Sequence, residues 1–565
     1  MGATPEQQLM KGQEGCFTGR FLIIIIFCYN YCIFYIIFLS LYCIFEKSFN
    51  MLVKTFGSTI QGIQAAIVTV EVSVGPGVNF FMVGLPDSAV KESHHRIEAA
   101  LKHNGYRIPG KRIVVNMAPA NIRKEGSAYD LTIAVGILAA TGQMCREQVT
   151  NYLIMGEVSL DGGLQPIRGA LPIAVMAREQ GFKGFILPAQ NAREAAVVNQ
   201  LKVYGVKNIR QVIDFFDGRG APEPVQVDTR EEFFARQENE GSDFSDVRGQ
   251  ENIKRAMEVS AAGGHNLLLI GPPGSGKTML ARRLPGILPP PGLQEALETT
   301  KIHSVAGKLD NNTSLLATRP FRSPHHTLSH IALTGGGAWP RPGEISLAHN
   351  GVLFLDELPE FSRSALEVLR QPLEHRSIVV NRARYSVEYP ASFMLVAAMN
   401  PCPCGFYNHP ERECSCGPAI VQRYLNRLSG PLLDRIDIHV EVTPLAFNEL
   451  HHQTRTEKSS AIRERVLRAR ERQARRYVEI PGVYCNAHIR SREMRSVCRI
   501  NKAGALLLKT AMEKLDLSAR AYDRILKVSR TIADLDGKEE ILPEHLAEAI
   551  HYRSLDRGNW AVCQP

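Results

Sequence analysis

Apolar residues along this chain fall into two kinds of run. Short continuous runs at Leu267-Leu268-Leu269-Ile270, Val352-Leu353-Phe354-Leu355 and Phe393-Met394-Leu395-Val396-Ala397-Ala398-Met399 read as buried strands, and His439-Val440-Glu441-Val442 is a shorter strand-like run. Val68-Thr69-Val70-Glu71-Val72-Ser73-Val74 instead alternates with period two, and Asp87 to Asn104 is helix-like. From Met51 to about Phe215 such strand-like and helix-like segments alternate, whereas the C-terminal part is mostly helical, with helices over Ser459 to Tyr477 and from Ser518. The segment Val379 to Val387 has the pattern of a hairpin. The polar, acid-rich stretch Asp217 to Asp246, containing Ala221-Pro222-Glu223-Pro224, reads as a linker.

Chemistry sits at the ends of the continuous runs. Directly after Ile270 comes Gly271-Pro272-Pro273-Gly274-Ser275-Gly276-Lys277-Thr278, which matches G-x-x-x-x-G-K-[ST]. Glycines there permit a tight turn whose backbone N–H groups converge on phosphate oxygens, and the helix predicted from Lys277 to Leu284 points its positive end at the same place. Lys277 is placed for the β/γ-phosphates of ATP and the Thr278 hydroxyl for Mg²⁺. The run ending at Leu355 is followed by Asp356 and Glu357: Asp356 is expected to hold Mg²⁺ through water, and Glu357 to activate a water for attack on the γ-phosphate. Asn400, at the tip of the third run, is a candidate for the γ-phosphate or that water.

With these residues in view, the region 246–445 resembles an AAA+ ATPase of the magnesium-chelatase-like group. The longer stretch from Met51 onward resembles the ComM/YifB family. The resemblance rests on Met51-Leu52-Val53-Lys54-Thr55, Val83-Gly84-Leu85-Pro86-Asp87, Asn116-Met117-Ala118-Pro119-Ala120, Phe321-Arg322-Ser323-Pro324-His325-His326-Thr327 and Asn400-Pro401-Cys402-Pro403-Cys404-Gly405. It implies an α/β chain. A Lon-protease-like (ribosomal-S5-domain-2-like) domain would occupy 51–215, a linker 216–245, an AAA+ P-loop ATPase core 246–445, and a helical C-terminal lid 446–565. It further implies a cytoplasmic homo-oligomer, a hexamer, that uses ATP and Mg²⁺ to drive branch migration on branched or single-stranded DNA, alongside recombination proteins. By the same resemblance Arg435 would be an arginine finger reaching a neighbouring subunit's site. Arg520 would be the lid arginine that meets the γ-phosphate, with Arg524 as runner-up.

Gly156-Glu157-Val158-Ser159-Leu160-Asp161-Gly162-Gly163 carries the Lon-like resemblance, which raises Ser/Lys proteolysis. An ungapped alignment puts Ala128 at the nucleophile position and Leu171 at the lysine position. A non-proteolytic domain serving ring assembly or DNA contact is therefore expected. Arg319, Arg322, His325 and His326, within the insertion Arg319 to Gly343, and Arg382 and Arg384 on the hairpin are the DNA-contact candidates. Seven arginines in the helix Ser459 to Tyr477 offer a further phosphate-binding face, some of them simply solvated.

Twelve cysteines do not form a disulfide framework in a cytosolic chain of this length. Four cluster as Cys402-x-Cys404 and Cys414-x-Cys416. That set suits tetrahedral Zn²⁺, with His409 as a substitute ligand. The 565 residues allow two to four domains, and a net charge of +9 permits an anionic partner without requiring one. Phe21 to Phe45 is uncharged and long enough to span a bilayer. It is too long for a secretory signal and lacks a small-residue cleavage site. Its restricted residue types fit a translated AT-rich upstream region, so the functional chain is expected to open at Met51, with a membrane anchor as the alternative. Two other functional classes stay open: a magnesium-chelatase-type subunit and a regulatory AAA+ protein, each remodelling a protein partner.

Overall fold

The computed structural model describes residues 51–553 except 221, 236–242, 311–312, 338–339, 383–384, 408, 410–411, 445–455 and 516. The expectations for the first fifty residues and for Arg384 lie outside the described residues, as does the side chain of Arg382. Among the described residues, no helix is long and apolar enough to cross a membrane.

The chain separates into two compact units. The first takes the described residues up to 57, together with 67–165 and 206–222. Its strands neighbour one another in the order Phe80–Val83, Arg112–Ala118, Gln64–Gly75, Met51–Gln61, Tyr152–Ile154. The period-two run lands as expected: Val68, Val70 and Val72 are buried, and Val72 pairs with Val115 across an antiparallel ladder. The predicted helix is Ser88–His103. Asp87 caps it by accepting the Val90 N–H at 2.8 Å, and the chain leaves it at Asn104.

The second unit takes 58–66, 166–205 and 223 onward. Residues 166–205 pack with the C-terminal part of the chain. Glu194, for example, accepts hydrogen bonds from the Leu171 N–H at 3.0 Å and from the Ser304 hydroxyl. The stretch 216–245 is not wholly a linker. It contains the helix Thr229–Ala235, whose Phe233 is buried and whose Glu232 receives Arg193 at 2.5 Å.

At the centre of this unit is a five-stranded parallel sheet, ordered Phe321–Arg322, Val352–Leu355, Met394–Met399, Leu267–Ile270, Ile438–Glu441. The continuous apolar runs became its interior strands because both faces are covered. Leu267 and Leu269 enter one core with helices Glu251–Gly263, Lys277–Ile287, Ser459–Arg476 and Ala519–Leu535. Leu268 and Ile270 enter the other, with Leu366, Leu369, Tyr424 and Leu432. The C-terminal helices therefore share the core of this sheet. The predicted hairpin is present as Ser377–Arg382 paired antiparallel with Tyr385–Pro390.

Candidate functional site

Parallel strands all point their C-terminal ends at one edge of a sheet, and in open α/β sheets ligands bind at that edge. Ile270 lies level with Met399, and Leu355 level with Ala397. The residues following these strands are Gly271, Asn400 and Asp356, so three separate segments converge here. The turn is anchored on both sides: the Gly271 N–H donates to the Met399 carbonyl at 3.1 Å and the Val442 N–H to the Ile270 carbonyl at 2.6 Å. Gly271 has no room for a side chain, since a Cβ there would meet the Val442 carbonyl oxygen at 2.3 Å. Gly274 and Gly276 take φ of +79° and +87°, a backbone that favours glycine and turns the chain into the helix beginning at Lys277.

Lys277 is buried, and its ammonium donates to the carbonyls of Gly271 and Pro272, each at 2.8 Å, and to Asn400 Oδ1 at 3.2 Å. Burial pushes its pKa down, while Asp356 and Glu357 nearby act in the opposite direction. Thr278 Oγ1 donates to Asp356 Oδ2 at 2.6 Å. Ser275 Oγ is buried without a partner among the described atoms, so the turn holds an unspent polar group of the kind a phosphate oxygen or water would satisfy. A cation on neutral oxygens, a hydroxyl–carboxylate pair and a loop with unspent donors fit Mg²⁺–ATP. Thr278 and Asp356 would hold the metal, and Lys277 the phosphates.

Glu357 is more than half exposed and adopts a left-handed backbone, φ +52°. His326 Nδ1 lies 3.1 Å from its Oε2. This corrects the expectation that His326 faces DNA phosphates: it faces the proposed water-activating carboxylate. Other DNA candidates are also engaged within the chain. Arg322 makes a bidentate pair with Glu344 at 2.6 and 2.8 Å. Arg319 is tied to Glu295 and to the carbonyls of Pro289 and Asn350. Of that set His325 remains exposed, its Nδ1 2.9 Å from Thr327 Oγ1. In the arginine-rich helix, Arg463, Arg465, Arg470, Arg472 and Arg476 bind carbonyls or carboxylates of neighbouring elements. The helix braces the core, and Arg468, Arg472 and Arg475 lie exposed from the expected phosphate-binding face, with Arg472 still bonded to the Asp534 carbonyl.

Arg435 also departs from expectation. It is buried, and its guanidinium meets the partly exposed Glu374 and the Pro431 carbonyl, so reaching outward would break that ion pair and the carbonyl bond. Its neighbours fix where it sits. Its backbone carbonyl accepts from Asn266 Nδ2 at 3.0 Å, and the Asp437 and Ile438 N–H groups donate to the Asn266 carbonyl, each at 3.1 Å. This is the N-terminal edge of the sheet, a full strand away from Gly271, or about 13 Å at the rise of a four-residue strand. Arg520, more than half exposed, approaches Asp434 at 3.9 Å on that same edge, while Arg524 is committed to Asp437 at 2.8 Å. Arg520 is therefore not poised to close on its own P-loop, because the helix carrying it is locked into the core beneath the opposite edge.

The four clustered cysteines come together. Cys402 Sγ lies 3.3 Å from Cys404 and 3.7 Å from Cys414, and Cys404 lies 3.5 Å from Cys414. Cys416 completes a group whose sulfurs all fall within 4.8 Å. His409 is outside it; its Nδ1 accepts the Arg412 N–H at 3.1 Å. In the N-terminal unit the Ser127 hydroxyl donates to Glu157, and Lys124 donates to the carbonyls of Gly84 and Pro119.

Sequence reasoning missed Gln250, which enters a helix with φ +56° and whose Nε2 donates to the Ser275 carbonyl at 3.1 Å, steadying the phosphate turn. A polar residue just after Gly249, ahead of an apolar helix, was the available signal. It also missed Glu374, whose distance of 61 residues from Arg435 hid the pair.

Family models agree with this reading of the chain. "Magnesium chelatase, subunit ChlI" matches residues 243–450, "Subunit ChlI of Mg-chelatase" matches 70–191, and "Magnesium chelatase, subunit ChlI C-terminal" matches 456–553. The competence protein ComM of Haemophilus influenzae is 45% identical over 499 residues, covering 88% of this chain and 96% of that protein. The YifB protein of Escherichia coli is 44% identical over 502 residues, with the same coverage. Lon protease 2 of Bacillus subtilis is 29% identical over 189 residues, covering 28% of this chain and 33% of that protein. Sharing its motifs and nearly half its residues over almost the whole length of these relatives, the chain belongs to the ComM/YifB family of magnesium-chelatase-like AAA+ proteins.

Proposed function

We propose that this protein is a Mg²⁺–ATP-hydrolysing motor that works as a ring of identical copies, a hexamer, and moves DNA branches during homologous recombination and the uptake of transforming DNA. The observation that carries the reading is the division of labour between the two edges of one sheet. Lys277, Thr278, Asp356, Glu357 and Asn400 gather at the C-terminal edge, and the exposed Arg520 lies at the other. An arginine there is out of reach of its own P-loop and would serve another copy's γ-phosphate, which would make hydrolysis a property of the assembly. Arg520 takes the neighbour-directed role first expected of Arg435.

At the site itself, Lys277 neutralises the phosphates, Asn400 orients the reacting groups, and Glu357 accepts a proton from the attacking water. Mg²⁺ on Thr278 and Asp356 would supply charge stabilisation at the leaving phosphate. The cysteine cluster is assigned to a structural Zn²⁺. That the load is DNA is supported by the word competence in the name of the Haemophilus influenzae relative, and by the implication of the family resemblance. Glu357→Gln should retain ATP binding and lose hydrolysis by about 10²–10⁴-fold. Wild-type hydrolysis should rise on adding a four-way DNA junction, and the junction should be resolved. No stimulation by DNA, together with capture of a protein partner by Glu357→Gln, would transfer the reading to a chelatase-type or regulatory remodelling subunit.

A further inference from the structure

The cysteine loop lies against the nucleotide site, not at a remote surface. Asn400, whose side chain meets Lys277, is two residues before Cys402, and Cys402 is fully buried. On the far side of Cys404, Gly405 turns with φ +84° and packs on the phosphate loop so closely that a Cβ would meet Pro273 Cδ at 2.5 Å. One short segment, 400–405, thus touches the P-loop at both Lys277 and Pro273, with two of the four sulfurs between those contacts.

The sulfur geometry suits a metal and not a disulfide. Bonded sulfurs sit about 2.05 Å apart, whereas a tetrahedron of Zn–S bonds of about 2.3 Å has edges of about 3.8 Å. The observed separations of 3.3, 3.5 and 3.7 Å lie close to the second value. Backbone N–H groups are also turned toward sulfur: those of Tyr407 and Gly405 to Cys402, of Phe406 and Ser415 to Cys404, and of Cys416 to Cys414. Loading is balanced by release of four thiol protons to solvent as Zn²⁺ binds four thiolates.

Resting on the ATP-site reading above, we infer that one Zn²⁺ held by Cys402, Cys404, Cys414 and Cys416 is a brace for nucleotide binding: it fixes the 400–405 segment so that Asn400 and Pro273 hold the phosphate loop in its binding shape. Without metal the two pairs of sulfurs are joined only by weak contacts, the loop gains freedom, and ATP must order it on binding. Coupling of this kind is reciprocal, so ATP must also tighten retention of zinc.

The test uses the full chain under a phosphine reductant. Elemental analysis should find one zinc per chain, and exchange for Co²⁺ should give the visible absorption of a tetrahedral tetrathiolate. The dissociation constant of a fluorescent ATP analogue should weaken roughly fivefold when zinc is stripped by a chelator and Mg²⁺ is restored, and should recover on adding Zn²⁺. Cys416→Ser should lose zinc. Gly405→Ala is the sharper variant, because it should keep zinc and yet weaken the nucleotide by a similar factor. A folded wild-type chain without zinc, equal ATP binding with and without the metal, or a Gly405→Ala protein with unaltered affinity would each overturn the brace. A zinc-loaded wild-type chain that binds no ATP would instead overturn the proposed function, and the brace with it.

Discussion

The two edges of the five-stranded sheet are built from the same strands and treat charge in different ways. At the N-terminal edge Asp437 is 1% exposed and receives the Asn266 N–H at 3.0 Å, Arg524 at 2.8 Å and His265 at 3.5 Å. Arg435 beside it is spent on Glu374. At the C-terminal edge Lys277 holds three neutral oxygens, Glu357 stands in solvent, and Ser275 Oγ has no partner among the described atoms. A buried carboxylate paired with a cation, as Asp437 is with Arg524 at 2.8 Å, stabilises a fold because its desolvation is offset only inside that pairing. That holds even with Asp437 Oδ1 and Arg435 Nε lacking a hydrogen bond among the described atoms. A buried cation on neutral oxygens is held ready for an anion that arrives later. The difference separates residues that hold the sheet from residues that await a ligand, although both sets are charged and neighbour the same strands.

The largest effect expected from this comparison is at Lys277. Lys277→Ala should lower hydrolysis by about 10²–10³-fold, in line with loss of a preorganised charge at a developing anion. Thermal unfolding should change little, since no ion pair is broken. Hydrolysis rates and calorimetry on the same preparation check this. Loss of the fold along with the activity would erase the distinction between the edges.

Much of the C-terminal edge was legible in sequence, because its signals are local. Eight consecutive residues fix the phosphate turn, and Asp356, Glu357 and Asn400 announce themselves by following apolar runs. The strand assignments held for the same reason: a run buried on both faces has few alternatives. What could not be read was pairing over distance. Arg322 with Glu344, Arg435 with Glu374 and Arg476 with Asp534 are separated by 22, 61 and 58 residues. An arginine looks equally exposed in sequence whether or not such a partner exists. The packing of 166–205 was hidden for the same reason, since it joins the second unit through contacts such as the Gly169 N–H to the Ser304 carbonyl at 3.1 Å.

The opposite edge supplies the next prediction. Asp437→Asn removes the charge but keeps the shape, leaving the Arg524 guanidinium without its carboxylate, and should cost about 3–5 kcal/mol. Arg524 and His265 hold the Asp437 carboxyl well below the usual carboxylate range against a burial that pushes it up. Its folded pKa is therefore depressed, so the stabilisation is complete above the unfolded carboxylate value of about 4 and is lost as pH falls below it. Urea unfolding at neutral pH and near pH 3 should show the gap between wild type and variant narrowing in acid. A gap that stays constant or widens would mean that Asp437 is not the charged centre of that net. ATP affinity measured on the folded variant should be unaltered, which is the outcome that keeps the two edges separate.

The smallest effect bears on a contact between the insertion and the C-terminal edge of the sheet. The His326 ring centroid lies 4.2 Å from that of His325, and its Nδ1 lies 3.1 Å from Glu357, so one oxygen of the carboxylate proposed to activate water is already met by a residue of the insertion. A largely exposed contact of this kind contributes about 0.2–1 kcal/mol, which corresponds to a few-fold at most in rate. His326→Ala should therefore raise basal hydrolysis by a few-fold and reduce the further rise on adding DNA, because a carboxylate no longer held by the insertion has nothing left for DNA to release. Steady-state hydrolysis with and without a DNA junction reads both quantities at once. A fall in basal rate with the DNA response intact would show instead that His326 positions Glu357 for the water. The insertion would then belong to the chemistry of the C-terminal edge and not to its control.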